Sequence, residues 1–597
     1  MSQAPNATIE NGFSSEQKEY LSGFAAGAGA FTAMRPTFGG TLAANGQSTE
    51  APIVIGPDAL QLQAQADQEK AGKKLVPEEK AKREKHPLDR WDNMVEASDK
   101  GVFPKGVDVL MWKYHGLFYV APAQDSFMCR LRFYGGLMDS NQMRSLAKIA
   151  DRFGGGYVDC TTRGNLQIRE IKAGDAVPFL ESLQENGFVA RGSGADNIRN
   201  VTGSATAGID PNELYDTRDL SRQMHHYILN HREMYGLPRK FNIAFDGGGG
   251  ISTLEDTNDI GFSAVRVPAG KAVPEGVYFR VAFGGITGHK DFAIDEGLLL
   301  HPHQLVLFAA ATVRVFIKNG DRSDRKKARL KYVLDAWGHD KFVAEVEREW
   351  GESALRLPVV DCESRPPIDR SGHIGWHSQK QENLNYVGVV CPVGRITTNQ
   401  MRGLARISDD FGSGDLRLTV WQNVLIVDVP EERKTEVEAA IKSLGLDYQA
   451  SGVRSGLIAC TGSAGCKYAN ANTKRNALEI ADYLESKIEL DQSVNIHLTG
   501  CPNSCAQHFI GDLGFLGTKV EQGEDMVDGY HLFVGGGYGP DERGIGREVF
   551  RSIAATDVPL VTEKLLKNYL STRRDVLESF LDWSKRYSSE ELRAFCE

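Results

Sequence analysis

A stretch of twenty-eight residues occurs twice in this chain, and that repeat constrains the fold more than any other feature. NQMRSLAKIADRFGGGYVDCTTRGNLQI begins at Asn141 and NQMRGLARISDDFGSGDLRLTVWQNVLI at Asn399, with half of the positions identical. Each reads as a helix, a glycine turn and a strand. The correspondence continues in order: Thr202-Gly-Ser-Ala with Thr461-Gly-Ser-Ala, Phe241-Asn-Ile with Val494-Asn-Ile, Asp259-Ile-Gly-Phe with Asp512-Leu-Gly-Phe, and Phe283-Gly-Gly with Val534-Gly-Gly. The offset stays near 250 to 260 residues throughout. The sequence predicts two copies of one unit, related by a pseudo-twofold axis.

The copies differ in their thiols. Four of the 9 cysteines lie between Ser455 and Gly517, in the second copy. Cys460 and Cys466 have five residues between them, Cys501 and Cys505 three. Each pair follows a short apolar run (GLIA, NIHL) and lies in a turn rich in Gly, Ser, Asn and Pro, with a helix pattern, ALEIADYLE, after the first pair. An iron–sulfur cubane needs four converging thiolates with N–H donors around the sulfurs. A structural zinc site also takes four cysteines, but in tighter knuckles that the five-residue gap fits poorly. Paired disulfides fit a sparse, odd cysteine count less well still. Aligned without gaps, Val201 falls opposite Cys460, Ala207 opposite Cys466, Gly248 opposite Cys501 and Ser252 opposite Cys505. The second copy therefore holds the cluster, and the first is free to supply something else.

What the first copy offers is positive charge. Arg130 and Arg132 lie in FMCRLRF, Arg163 in TTRGNLQ, Arg199 in NIRNVTG, and Arg239 and Lys240 in LPRKFN. Burying such a set is costly without anions to pair with it. Arginine suits carboxylates through its bidentate fork, while lysine acts as a point charge or proton donor.

C-T-G-x-x-x-C followed by G-C-P-N-S-C-A resembles the signature of the sirohaem- and [4Fe–4S]-containing nitrite and sulfite reductases, and similar segments run from about Trp112 to the C-terminal region. The resemblance implies an α+β protein: two pseudo-twofold-related copies of a ferredoxin-like half domain plus a sirohaem/[4Fe–4S]-binding α/β domain. The copies would span 106–195 and 196–350, then 380–450 and 451–597, with residues 1–105 a peripheral extension. It also implies that Cys460, Cys466, Cys501 and Cys505 bind the cluster, Cys505 serving in addition as the axial ligand of the sirohaem iron. Arg132, Arg163, Asn165, Gln167, Arg239, Arg325, Lys331, Thr461 and Asn503 would contact the cofactors. Arg130, Arg199, Lys240 and Asn242 would form the pocket for the substrate anion. Asn242 is the discriminating position, since sulfite reductases of the family typically carry a second lysine there; its duplicate, Asn495, leaves a purely structural role open. Some sulfite reductases link a Tyr to a Cys near the haem, and the matching positions here are Phe118 and Gly194. The family's usual Gln between Arg163 and Asn165 is Gly164.

The resemblance implies an enzyme that takes nitrite to ammonium, or alternatively sulfite to sulfide; a non-catalytic cluster protein is the third reading. VGGGYG at Val534 matches FGGITG in the first copy, so it reads as a repeated structural loop rather than a dinucleotide fingerprint. Electrons would then come from a separate protein, most simply ferredoxin. Composition (41% hydrophobic, 25% charged) is that of a soluble globular protein, with no apolar run long enough for a membrane and no basic, apolar leader. Cytoplasmic residence and a monomer are the expectations. A net charge of −10 argues against nucleic acid and requires a local basic patch for an acidic donor. Lys70 to Lys85 reads as a solvated helix face, and Arg322 to Lys331 as a more one-sided basic helix.

Overall fold

The computed structural model describes residues 56–539 and 542–596. In it the sequence repeat is a repeat in space. The first copy runs β1 (Leu137–Asp139), α1 (Ser140–Phe153), β2 (Tyr157–Thr161), and the second β3 (Arg395–Thr397), α2 (Thr398–Phe411), β4 (Asp415–Leu418). Both helices open with a capping box, Asp139 with Gln142 and Thr397 with Gln400, which satisfies two backbone donors reciprocally. Their buried residues recur at helical spacing: Met143, Leu146, Ala147 and Ala150 in α1, Met401, Leu404, Ala405 and Ser408 in α2.

The copies exchange strands. β1 pairs antiparallel with β4, placing Asp139 opposite Asp415, and β3 pairs with β2, placing Thr397 opposite Tyr157. Each five-stranded half-domain sheet thus takes an edge strand from its sibling. Ion pairs follow the same axis, Arg144 with Asp409 at 2.5 Å and Arg402 with Asp151. These are half-exposed and contribute little, about 0.5 kcal/mol each. The shared core does more: Leu146, Val158 and Ile168 belong to one apolar cluster with Leu404, Leu416 and Ile426.

The other two sheets are also siblings. Thr202–Gly203, Ile243–Asp246 and Ile260–Val267 run parallel in the first, and Leu457–Ala459, Ile496–Thr499 and Leu513–Gln522 in the second, with antiparallel strands following. The register corrects one part of the ungapped alignment. Gly203 stands opposite Phe245 and Ala459 opposite Leu498, so Ser204, not Val201, is the counterpart of Cys460. The loops confirm the shift: Gly500 N–H donates to Cys460 Sγ at 3.2 Å, and Gly247 N–H donates to Ser204 Oγ at 2.9 Å. Ser252 keeps its place opposite Cys505. Ala506 N–H donates to Thr499 Oγ1, as Thr253 N–H does to Asp246 Oδ2, and the left-handed Gln507 answers the left-handed Leu254.

The N-terminal extension is not peripheral beyond residue 55; its first 55 residues lie outside the described ones. Helices Ala59–Lys70 and Pro77–Glu84 are built into the first copy. Lys82, expected on a solvated face, is buried and bonds Asp196 at 3.1 Å, while Glu79 pairs with Arg322 at 2.6 Å. The segment reads as polar because its charges meet partners from elsewhere in the chain. Arg322 itself, expected on a basic helix surface, is fully buried. Among the described residues, no helix is long and apolar enough to cross a membrane.

Candidate functional site

Cys460 and Cys501 leave the ends of neighbouring parallel strands, Leu457–Ala459 and Ile496–Thr499, the edge where ligands bind in such sheets. Glycine is required where the loops cross: a Cβ on Gly500 would lie 2.6 Å from Ala469 Cβ, and Gly462 (φ +69) would place one 2.4 Å from Thr473 N. Donors surround the sulfurs. Besides Gly500 on Cys460, Asn503 Nδ2 lies 3.5 Å from Cys501 Sγ, and the backbone of Tyr468 and Ala469 favours ionised Cys466. Burial pushes the Cys460 and Cys466 thiols up and Cys501 to about 12, and the Cys505 charge raises all three further. Three buried thiols that resist ionisation, with N–H donors beside them and Cys505 on the neighbouring loop, fit a cationic iron–sulfur core that would hold the sulfurs as thiolates. Among the described residues no three His, Cys, Asp or Glu side chains stand together as ligands of one ion. In a cubane each thiolate binds a different iron, so the sulfurs ring the cluster instead of meeting at a point.

The first copy clamps these loops. Thr162 Oγ1 donates to Cys505 O at 2.9 Å, and Arg169 reaches Gly465 O at 3.2 Å and Thr461 Oγ1. Arg169 also pairs with Asp159 at 2.6 Å and donates to Gln167 Oε1 at 2.7 Å. The sequence reading missed Arg169, although alternation on strand Asn165–Ile171 puts it on one face with Asn165 and Gln167.

Arg130, Arg163, Arg199 and Lys240 are depressed in pKa by burial, with like charges adding to it, Arg163 to about 10. Among the described residues the Arg199 guanidinium donates to Ser193 O (3.1 Å) and Ala195 O (2.8 Å), and that of Arg130 to Ser193 O (3.4 Å). Arg163 donates to Asn258 Oδ1 at 2.7 Å. Lys240 has no hydrogen bond or ion pair among the described residues. Such a set is unfavourable unless anions enter it, and a polycarboxylate macrocycle beside a small oxyanion fits the need.

The other expected residues fall into different places. Arg132 spends its guanidinium on four backbone carbonyls, of Arg191, Gly192, Ile198 and Arg199, and so braces the loop that carries Arg199. Asn165 bonds Leu131 O and Leu166 N–H, a backbone brace. Arg325 forms a bidentate pair with Asp196 (2.9 and 2.7 Å), with Arg239 at 3.8 Å from the same carboxylate. Lys331 pairs on its helix with Asp335 at 2.9 Å. Besides Arg322, the buried cation of that segment is Arg329, held by Asp259 at 2.7 Å, which the sequence reading passed over. Asn242 is buried; its N–H donates to Asp259 Oδ2 at 2.9 Å, and its amide oxygen has no partner. Asn495 repeats the backbone bond with Asp512 at 2.8 Å. Phe118 and Gly194 are neighbours, since a Cβ on Gly194 would stand 2.6 Å from Phe118 Cζ.

The sibling seam is built differently. The half-domain positions matching Arg163, Gln167 and Arg169 are Trp421, Leu425 and Val427, and with Tyr538, Ile458, Ile510 and Ile251 they close the sibling seam as an apolar core.

Two kinds of domain model match the chain: the nitrite and sulphite reductase 4Fe-4S domain at residues 194–354 and 450–597, and the nitrite/sulfite reductase ferredoxin-like half domain at 120–186 and 377–444. The chain belongs to the nitrite and sulfite reductase family, whose repeated half domains and [4Fe–4S] domain are the duplicated units described above. Among its relatives is the ferredoxin--nitrite reductase of Synechococcus elongatus, 36% identical over 465 residues, 76% of this chain and 88% of that one. The chloroplastic ferredoxin--nitrite reductase of Zea mays is 33% identical over 84% of this chain and 90% of its own. The Mycobacterium tuberculosis NirA protein superposes with a TM-score of 0.80 at 26% identity, covering 87% of this chain and 98% of that one.

Proposed function

We propose that the chain reduces nitrite to ammonium with electrons from reduced ferredoxin. The carrying observation is the group of Arg130, Arg199 and Lys240, cations beside the cysteine loops that meet no carboxylate among the described residues. The relatives' names support the substrate and the donor.

When bound, the sirohaem and the cluster, on Cys460, Cys466, Cys501 and Cys505, supply one-electron delivery and the iron that receives the anion. Arg163, Gln167, Arg239, Thr461 and Asn503 would hold these groups. Arg199 and Arg130, fixed through Ser193 O, keep further N–H groups for the oxygens of a small anion. Lys240 is the proton donor: burial first, then Arg329 and Arg199, lowers its pKa, so it releases a proton more readily as each N–O bond breaks. The unpartnered Asn242 amide oxygen suits a product that carries N–H groups, as ammonium does and sulfide does not. Steady-state turnover with reduced ferredoxin on nitrite and on sulfite tests the reading; a preference for sulfite overturns it.

A further inference from the structure

Lys113 lies outside every segment that the cysteine and arginine motifs single out. It sits on the turn Trp112–His115, ahead of the strand Leu117–Tyr119 that carries Phe118. Its ammonium lies 5.5 Å from the centroid of the Phe118 ring, and the Arg130 guanidinium lies 4.7 Å from the same ring. One aromatic platform therefore carries two cations, a favourable contact for each but no neutralisation of either. Gly194 permits the arrangement. A Cβ there would lie 2.5 Å from Lys113 O and 2.6 Å from Phe118 Cζ.

The ammonium makes no hydrogen bond or ion pair among the described residues. Burial pushes it down to about 8, with Lys467, Arg199 and Arg130 adding to the effect and Asp196 opposing it. Sharing the Phe118 ring with Arg130, at 5.5 and 4.7 Å from its centroid, places the Lys113 charge next to a cation already assigned to the anion pocket. An uncompensated, half-buried ammonium there raises the local concentration of anions and offers a further donor to them.

We propose that Lys113, carried with Arg130 on the ring of Phe118, is a further anion-binding residue of the pocket, selecting small inorganic oxyanions of the nitrite class. The assignment rests on the nitrite reading above. The test is a nitrite titration of the holoenzyme, followed by its haem absorption, together with steady-state kinetics on Lys113→Met, Lys113→Arg and Phe118→Leu. Lys113→Met is expected to raise both the nitrite Kd and KM about tenfold, as loss of one charge-assisted contact does, with kcat within about twofold. Lys113→Arg should restore most of the affinity, and Phe118→Leu should weaken it less than Lys113→Met. If the native enzyme binds nitrite and Lys113→Met binds it equally well, this inference fails and the function stands. If the native enzyme does not bind nitrite, both fail.

Discussion

The backbone N–H of Gly500 donates to Cys460 Sγ at 3.2 Å, and the sibling copy makes the same bond from Gly247 to Ser204 Oγ at 2.9 Å. One loop geometry thus accommodates either a thiol or a hydroxyl. At this bond the two copies differ only in the side-chain atom that accepts; the loops diverge just beyond it, where Gly248 (φ +82) stands opposite Cys501 and Ser504 (φ +51) opposite Ile251.

It follows that Cys460→Ser should fold and fail to hold iron. The far-ultraviolet spectrum of the purified variant should match the native one, while iron and acid-labile sulfide per chain fall about tenfold or more, because a hydroxyl is a poor ligand for the cluster. Full iron occupancy in this variant would show that Cys460 is not a ligand.

Asp196 is a second point of control. It is fully buried and carries Lys82, Arg325 and the more distant Arg239, and these cations hold its carboxyl well below the usual range against the effect of burial. Asp196→Asn leaves them without a counter-charge. Denaturant unfolding should show a loss of about 3–5 kcal/mol, the usual consequence of breaking a buried ion network on one side. A loss under about 1 kcal/mol would mean that the network is not a source of stability.

Acid sensitivity should begin at mild pH. Burial pushes His225 and His373 down to about 3, so both are neutral in the folded chain at pH 7. The unfolded chain protonates first, near the ordinary histidine value. Stability is therefore complete above about pH 6.5 and falls as pH drops from there toward about 3. Between pH 7 and 5 each histidine should remove about 2 kcal/mol. Unfolding midpoints at the two pH values measure this, and His373→Gln should flatten the dependence. An unchanged slope in that variant would remove His373 from the account.

Asn242→Lys should shift the anion preference. A second ammonium beside Lys240 replaces the amide that accepts N–H, so the ratio of kcat/KM for nitrite to that for sulfite should fall about tenfold or more. A ratio unchanged within about twofold would make Asn242 a backbone brace like Asn495.

The duplication, the order of the elements and the concentration of chemistry in the second copy were legible in the sequence because half of a twenty-eight-residue stretch is repeated. Partnerships across long sequence distances were not. Lys82 and Glu79 look like a solvated helix until Asp196 and Arg322 are placed against them. The backbone partners of Arg132 and Asn165, four carbonyls for the first and Leu131 O with Leu166 N–H for the second, were equally illegible. The counterpart of Cys460 was misplaced by three residues because Thr-Gly-Ser-Ala is repeated in sequence while strand pairing, set by hydrogen bonds, fixes a different register. Trp421, Leu425 and Val427, opposite Arg163, Gln167 and Arg169, make one seam apolar where the other is polar, so that a symmetric fold has an asymmetric site.

The most direct test of the central claim is the turnover of the purified holoenzyme with reduced ferredoxin and either nitrite or sulfite, alongside its iron content and haem spectrum. The account predicts an iron- and tetrapyrrole-containing protein that forms ammonium from nitrite with a kcat/KM well above that for sulfite. A protein that lacks both cofactors, or one that turns over sulfite faster than nitrite, would contradict it.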